Sequence, residues 1–153
     1  MVTAEKYQAY SMATRTVAKT RQVVMLYDGA IRFLKQAGEA ISVANIEERY
    51  RLLVKTTEVI TGLQSSIDFE NGGDIAGILH GFYSNMSMRI LSLNFVKEKD
   101  VAKQECDDLI GELKQMRDVW EHIDLQIGKK DAVFDTNLYS GQISADGGNN
   151  ILA

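Results

Sequence analysis

Proline is absent from this chain, and cysteine occurs once, at Cys106. Without proline, few of the hard stops that punctuate all-β folds are available. A lone cysteine excludes an internal disulfide and fits a reducing compartment. Histidine is nearly as scarce, with only His80 and His122. A di-iron carboxylate centre in a helical bundle needs two Glu-x-x-His pairs, but Gly77 and Val119 stand three residues before these histidines. That reading fails on ligand count, so neither a metal nor any other cofactor is expected. Long apolar runs are missing too. The longest, Val23 to Leu26, is far too short to span a membrane. The opening Met1 to Tyr7 lacks the charged-then-apolar layout of a signal peptide. No long basic block occurs, and acidic residues outnumber basic ones 21 to 17. Nucleic acid is therefore not expected as a partner, because phosphate binding needs a cationic face.

What is present fits one soluble domain. The chain has 153 residues, enough for a real core. Four stretches carry helical periodicity. From about Thr20 to Val43, the residues Val23, Tyr27, Ala30, Leu34, Ala37 and Ile41 are spaced 4, 3, 4, 3, 4. That spacing places them on one helix face. From about Glu47 to Ile67, Leu52, Thr56, Val59, Leu63 and Ile67 form a stripe widened by Leu53 and Ile60. Asn45 followed by Glu48 is a capping-box arrangement. Gly72-Gly73 reads as a chain reversal, since glycine accepts positive φ cheaply. Asp74 is the expected cap of a third helix over about Ile75 to Val96, lined by Ile75, Leu79, Phe82, Met86, Arg89 and Leu93. The fourth begins near Asp100 and is lined by Ala102, Cys106, Leu109, Leu113, Met116, Trp120, Ile123 and Ile127.

After Gly128 the periodicity stops, and residues 129–153, rich in glycine and asparagine, read as a tail. Val133, Phe134, Leu138 and Tyr139 are its scattered apolar residues. Residues 1–19 read as an arm carrying Tyr7 and Tyr10. Long helices joined by short loops stack as antiparallel neighbours. The expected fold is all-α: an antiparallel four-helix bundle over residues 20–128, with an N-terminal arm and a C-terminal tail.

No catalytic constellation emerges, and an enzyme is not expected. Cys106 lies on an apolar stripe and reads as a small buried hydrophobe. His122 reads as a surface residue between Glu121 and Asp124. Gly72-Gly73 precedes a helix, but Asp74 would repel an anion there. The glycines inside helices are harder to dismiss, since each costs about 1 kcal/mol relative to alanine. Close helix packing accounts for Gly38 and Gly111. Gly77 and Gly81, one turn apart, would bare a smooth strip on the third helix where another helix can lie close. Tyr83 falls beside the stripe, at the edge of a binding surface.

The run Met25-Leu26-Tyr27-Asp28-Gly29-Ala30-Ile31-Arg32-Phe33-Leu34 closely resembles the first-helix signature of the flagellar secretion chaperones, the FliS family. Ser66-Ile67-Asp68 and Gly72-Gly73-Asp74-Ile75-Ala76 are similar to the family's turn between the second and third helices. Leu79, Tyr83, Met86, Arg89, Leu91 and Asn94 continue the match, and Trp120 stands where the family keeps its fourth-helix tryptophan. Tyr7-Gln8-Ala9-Tyr10 looks like the family's N-terminal arm. One departure is Ala18-Lys19, where the family enters its first helix through serine-proline; Thr16 or Thr20 is the substitute cap.

The resemblance implies a cytoplasmic chaperone of the bacterial cytosol. It would bind the disordered C-terminal segment of flagellin, prevent premature polymerisation and deliver the cargo to the flagellar export gate. The implied cargo groove runs along helices two to four, with Leu63, Ile67, Ile75, Leu79, Tyr83, Met86 and Trp120 as candidates. Tyr7 and Tyr10 would belong to an arm that covers an apolar patch until cargo displaces it. Tyr27, Asp28, Gly29, Gly72 and Gly73 are signature positions, with Asp28 placed to cap or to anchor the arm. A second copy of the chain is a further candidate partner, because an empty groove can self-associate. The alternative reading is a helical adaptor for another secretion substrate or regulator.

Overall fold

In the computed structural model, the six stepped residues of the first helix are all buried, and this helix becomes the centre of the molecule. The structure describes residues 4–5 and 20–149, with side chains as far as Gly128. Within them, α1 spans Thr20–Ser42, α2 spans Ile46–Ser65, α3 spans Gly73–Ser92 and α4 spans Lys99–Asn149. A short 3-10 turn, Leu93–Phe95, links α3 to α4. The fold is an all-α, antiparallel four-helix bundle.

Direction is read from the bonds between helices. Thr20 Oγ1 donates to Asp124 Oδ1 at 2.8 Å, and the Cys106 thiol donates to the Leu34 carbonyl at 3.2 Å. As α1 ascends, its partners on α4 descend. Gln64 meets His80 and Ser84, while Arg49 reaches Asn94, which makes α2 and α3 antiparallel as well. α1 packs along both α2 and α4; α3 packs on α2 and meets α4 at few points.

The turns show how the chain reverses without proline. Ala44 carries a φ of 54° after α1, with Asn45 N–H donating to the Ala40 carbonyl and Ala44 N–H to that of Ile41. This is a Schellman closure, built on alanine where glycine is usual. Asn45 then caps α2 by accepting from Glu48 N–H at 3.1 Å, as the sequence predicts. After α2, Asp68 folds the loop by accepting from the Glu70 and Asn71 N–H groups. Gly73 takes a φ of 54°, the conformation for which a double glycine is suited.

Four expectations change. Asp74 does not cap α3: it lies inside the first turn, and Gly72 is the N-cap, with no side-chain bond. Thr20 is the first residue of α1, and its hydroxyl bonds Asp124; Thr16, Ala18 and Lys19 lie outside the described residues. The buried row of α3 is Ala76, Leu79, Tyr83, Met86 and Ile90, continued by Leu93 of the 3-10 turn and rotated slightly from the expected one. Ile75, Phe82 and Arg89 sit half-buried at its border. Finally, α4 does not end at Gly128; its backbone stays helical to Asn149. A glycine weakens a helix by about 1 kcal/mol but does not stop it, and no proline follows. Because Thr20 pairs with Asp124, the part of α4 after Gly128 runs past the start of α1.

Candidate functional site

The buried row of α3 leaves an opposite row turned outward. Ile78, Gly81, Asn85 and Met88 follow one another at 3, 4 and 3 residues, so they share a face. All four are exposed, and the two apolar side chains strongly so: Ile78 at 58% and Met88 at 62%. Gly77 and Gly81 lie on this side, and a Cβ added at either would touch no described atom within 4 Å. Their lack of side chains leaves a low stretch of backbone between the two apolar residues.

On the α2 side, this face continues into a depression of about 400 Å³ lined by Val54, Thr57, Glu58, Thr61 and Leu91. It is mostly aliphatic and methyl-bearing, with one carboxylate at its rim. Above it, Gln64 ties α2 to α3: its Nε2 lies 3.1 Å from His80 Nδ1 and donates to Ser84 Oγ at 2.8 Å. Phe69 stacks edge-on against the His80 ring, with centroids 5.6 Å apart, while remaining largely exposed. On the α4 side, long polar chains cross the seam. Arg89 Nε donates to Glu105 at 2.8 Å and its Nη1 to Glu112 at 2.6 Å. Those two carboxylates, Glu105 first, hold the guanidinium more firmly protonated than usual.

The expected groove residues divide sharply. Leu63, Ile67, Leu79, Tyr83, Met86 and Trp120 are buried, while Ile75 is half-buried. Six of the seven thus lie in the core rather than on an exposed surface. Tyr83 is inside the core rather than at an edge: its hydroxyl accepts from Tyr27 at 2.9 Å, and the rings stand 6.3 Å apart. That bond gives the signature Tyr27 a structural place, joining α1 to α3 across the core. Asp28 pins α1 to α4, accepting from Arg117 Nε at 2.8 Å and Nη2 at 3.4 Å. Glu121 holds the same guanidinium from one turn further along α4. Gly29 is half-buried, near the Arg32 side chain; Gly72 is buried and Gly73 exposed. Tyr7 and Tyr10 lie outside the described residues, as do the side chains of Val133, Phe134, Leu138 and Tyr139.

Two glycine readings are not supported by packing. Gly38 is buried, but a Cβ there would meet Cys106 Sγ at 3.6 Å, ordinary van der Waals contact that does not demand glycine. At Gly111 a Cβ would meet no described atom within 4 Å, so close packing does not demand glycine there either. Sequence reasoning passed over Ile78 and Met88, whose signal was available: both fall opposite the stripe. Among the described residues, no group of three or more His, Cys, Asp or Glu could hold a metal ion. No described helix is long and apolar enough to cross a membrane.

An all-α bundle whose third helix offers an apolar, glycine-smoothed face can receive another helix or extended peptide. Comparison with known proteins gives that surface a context. The family described as Flagellar protein FliS matches residues 3–127 of the chain. The chain belongs to the FliS family. Among its relatives, the flagellar secretion chaperone FliS of Campylobacter jejuni is 28% identical over 118 residues, covering 76% of this chain and 89% of the relative. That of Vibrio cholerae is 33% identical over 101 residues, covering 66% and 71%. That of Salmonella typhimurium is 27% identical over 129 residues, covering 80% and 93%. The matched span contains all of α1, α2 and α3 and the bundle-forming part of α4.

Proposed function

We propose that this FliS-family chain is a flagellar secretion chaperone. It binds the disordered C-terminal segment of flagellin in the bacterial cytosol, blocks premature polymerisation and hands the segment to the flagellar export gate. The observation that carries the reading is the outward row of α3, where Ile78 and Met88 flank the bare backbone of Gly77 and Gly81. An unfolded amphipathic segment gains helix on such a face by burying its apolar side there. Absent side chains let the two backbones approach, and the depression beside Leu91 accepts an anchoring residue. Ordering the segment consumes several kcal/mol of the gross contact energy, so binding stays reversible, as a cargo destined for release requires.

In this reading, Ile75 and Phe82 border the cargo surface. Leu63, Ile67, Leu79, Tyr83, Met86 and Trp120 support it from below. The test is a pair of charge insertions. Ile78→Asp and Met88→Asp place a carboxylate on the outer face; each is expected to weaken binding of a flagellin C-terminal peptide at least about tenfold with helicity retained. Leu79→Asp, in contrast, puts an unpaired charge in the core and is expected to unfold the bundle. Unchanged binding in both outer-face variants would move the cargo off α3.

A further inference from the structure

A second open surface lies at the end of the bundle where α1 turns into α2 and α3 passes into α4. It is a depression of about 460 Å³, with Ile46, Arg49, Phe95, Val96, Lys97 and Lys99 among its lining residues. Phe95 is the most exposed large apolar residue described, at 84%, and Ile46 stands 68% exposed across the same depression. Val43, 74% exposed, lies beside it on the α1–α2 turn. These residues are held out by rigid elements. Phe95 ends the 3-10 turn that α3 enters through Leu93, itself buried. Ile46 begins α2 just after its Asn45 cap.

The charges of this lining are of one sign. Arg49, Lys97 and Lys99 line it, and no carboxylate does, on a chain whose acidic residues outnumber the basic 21 to 17. Glu47, Glu98 and Asp100 are sequence neighbours but do not line the depression. Arg49 is anchored, with Nη2 donating to the Asn94 carbonyl at 3.0 Å, which fixes a cation at the wall. No ion pair joins Lys97 or Lys99 to a described carboxylate. An exposed aromatic and aliphatic pair rimmed by unpaired cations matches a segment of opposite pattern.

We propose that this end of the bundle is a second docking site, distinct from the α3 cargo face. It takes an acidic peptide segment of a partner protein, with carboxylates around one or two bulky apolar side chains. The apolar residue packs between Phe95 and Ile46, and the carboxylates meet Lys97, Lys99 and Arg49.

The test uses the full chain and fluorescent synthetic peptides: an acidic peptide with a central Leu-Phe pair, its lysine-for-glutamate counterpart, and an acidic peptide with Ser-Ser at the centre. The acidic Leu-Phe peptide is expected to bind saturably, more weakly as salt rises, and the other two at least about tenfold less well. Phe95→Ser and the double variant Lys97→Glu/Lys99→Glu are each expected to reduce binding at least about tenfold, with helicity and flagellin-peptide binding unchanged. Equal binding of the acidic Ser-Ser peptide, indifference to the substitutions, or tighter binding of a single-stranded oligonucleotide at the same residues would overturn the proposal. So would competition between the acidic Leu-Phe peptide and the flagellin peptide, which would place both on one surface. Loss of flagellin binding in the α3 variants leaves this test untouched, so the two readings fail separately.

Discussion

Cys106 illustrates how packing decides the chemistry of a residue. Its thiol is fully buried between α4 and α1, donates to the Leu34 carbonyl, and lies near Gly38, where an added Cβ would sit 3.6 Å from the sulfur. Burial first, and the nearby Asp107 carboxylate second, push the thiol from its usual value near 9 up to about 11. The raised value means that the folded state keeps its proton where the unfolded state has lost it. This contribution to stability is therefore whole below pH about 9 and declines as pH rises towards 11. A thiol so placed is expected to resist alkylation at pH 8 in the native protein and to react promptly in denaturant. Rapid native labelling, followed by mass spectrometry, would show that α4 opens from α1. Tyr27 and Tyr83 make the companion case. Tyr83 looks from sequence like an edge residue of a binding surface, yet its hydroxyl accepts from Tyr27 inside the core.

At the level of elements, α1 was legible residue by residue. Its six stepped positions are all buried, because one unbroken apolar face admits only one orientation. The third helix was less so. Two rows compete there, Ile75–Phe82–Arg89 and Ala76–Tyr83–Ile90, and they share Leu79, Met86 and Leu93. Period alone cannot choose between neighbouring rows; contact with α2 buries the second and leaves Arg89 free to bridge to α4. The outward glycines were readable as a smooth strip, and Ile78 and Met88 fall opposite the expected stripe, but how far they are exposed depends on where neighbouring helices stop. The length of α4 was hidden for another reason: Gly128 reads as a terminator only if something beyond it prevents helix, and nothing does. Asp28 shows an element-level role that spacing could not assign. Through Arg117 it fixes the register of α1 against α4, and the Asp28 carboxylate is the largest cause of that guanidinium's firm protonation. Asp28→Asn is expected to cost about 0.5–1 kcal/mol, read as a lowered midpoint in urea denaturation. No change would mean that Glu121 alone suffices to hold Arg117.

For the whole molecule, the arrangement is a dense core on one side of α3 and an apolar, low-relief face on the other. α1 supplies the rigidity, packed along both α2 and α4, while α3 is held by α2 and tied to α4 through the Arg89 ion pairs. A helix gripped mainly from one side can present its other side to a guest without exposing the core. Six of the seven expected groove residues, Leu63, Ile67, Leu79, Tyr83, Met86 and Trp120, belong to that core, and the outward row is the surface proposed for the cargo. The most direct measurement is calorimetric titration of the full chain with the C-terminal segment of its host's flagellin, repeated at several temperatures. The account predicts saturable one-to-one binding with a clearly negative heat-capacity change, as burial of apolar surface on an ordering segment requires. Absence of saturable binding would contradict it.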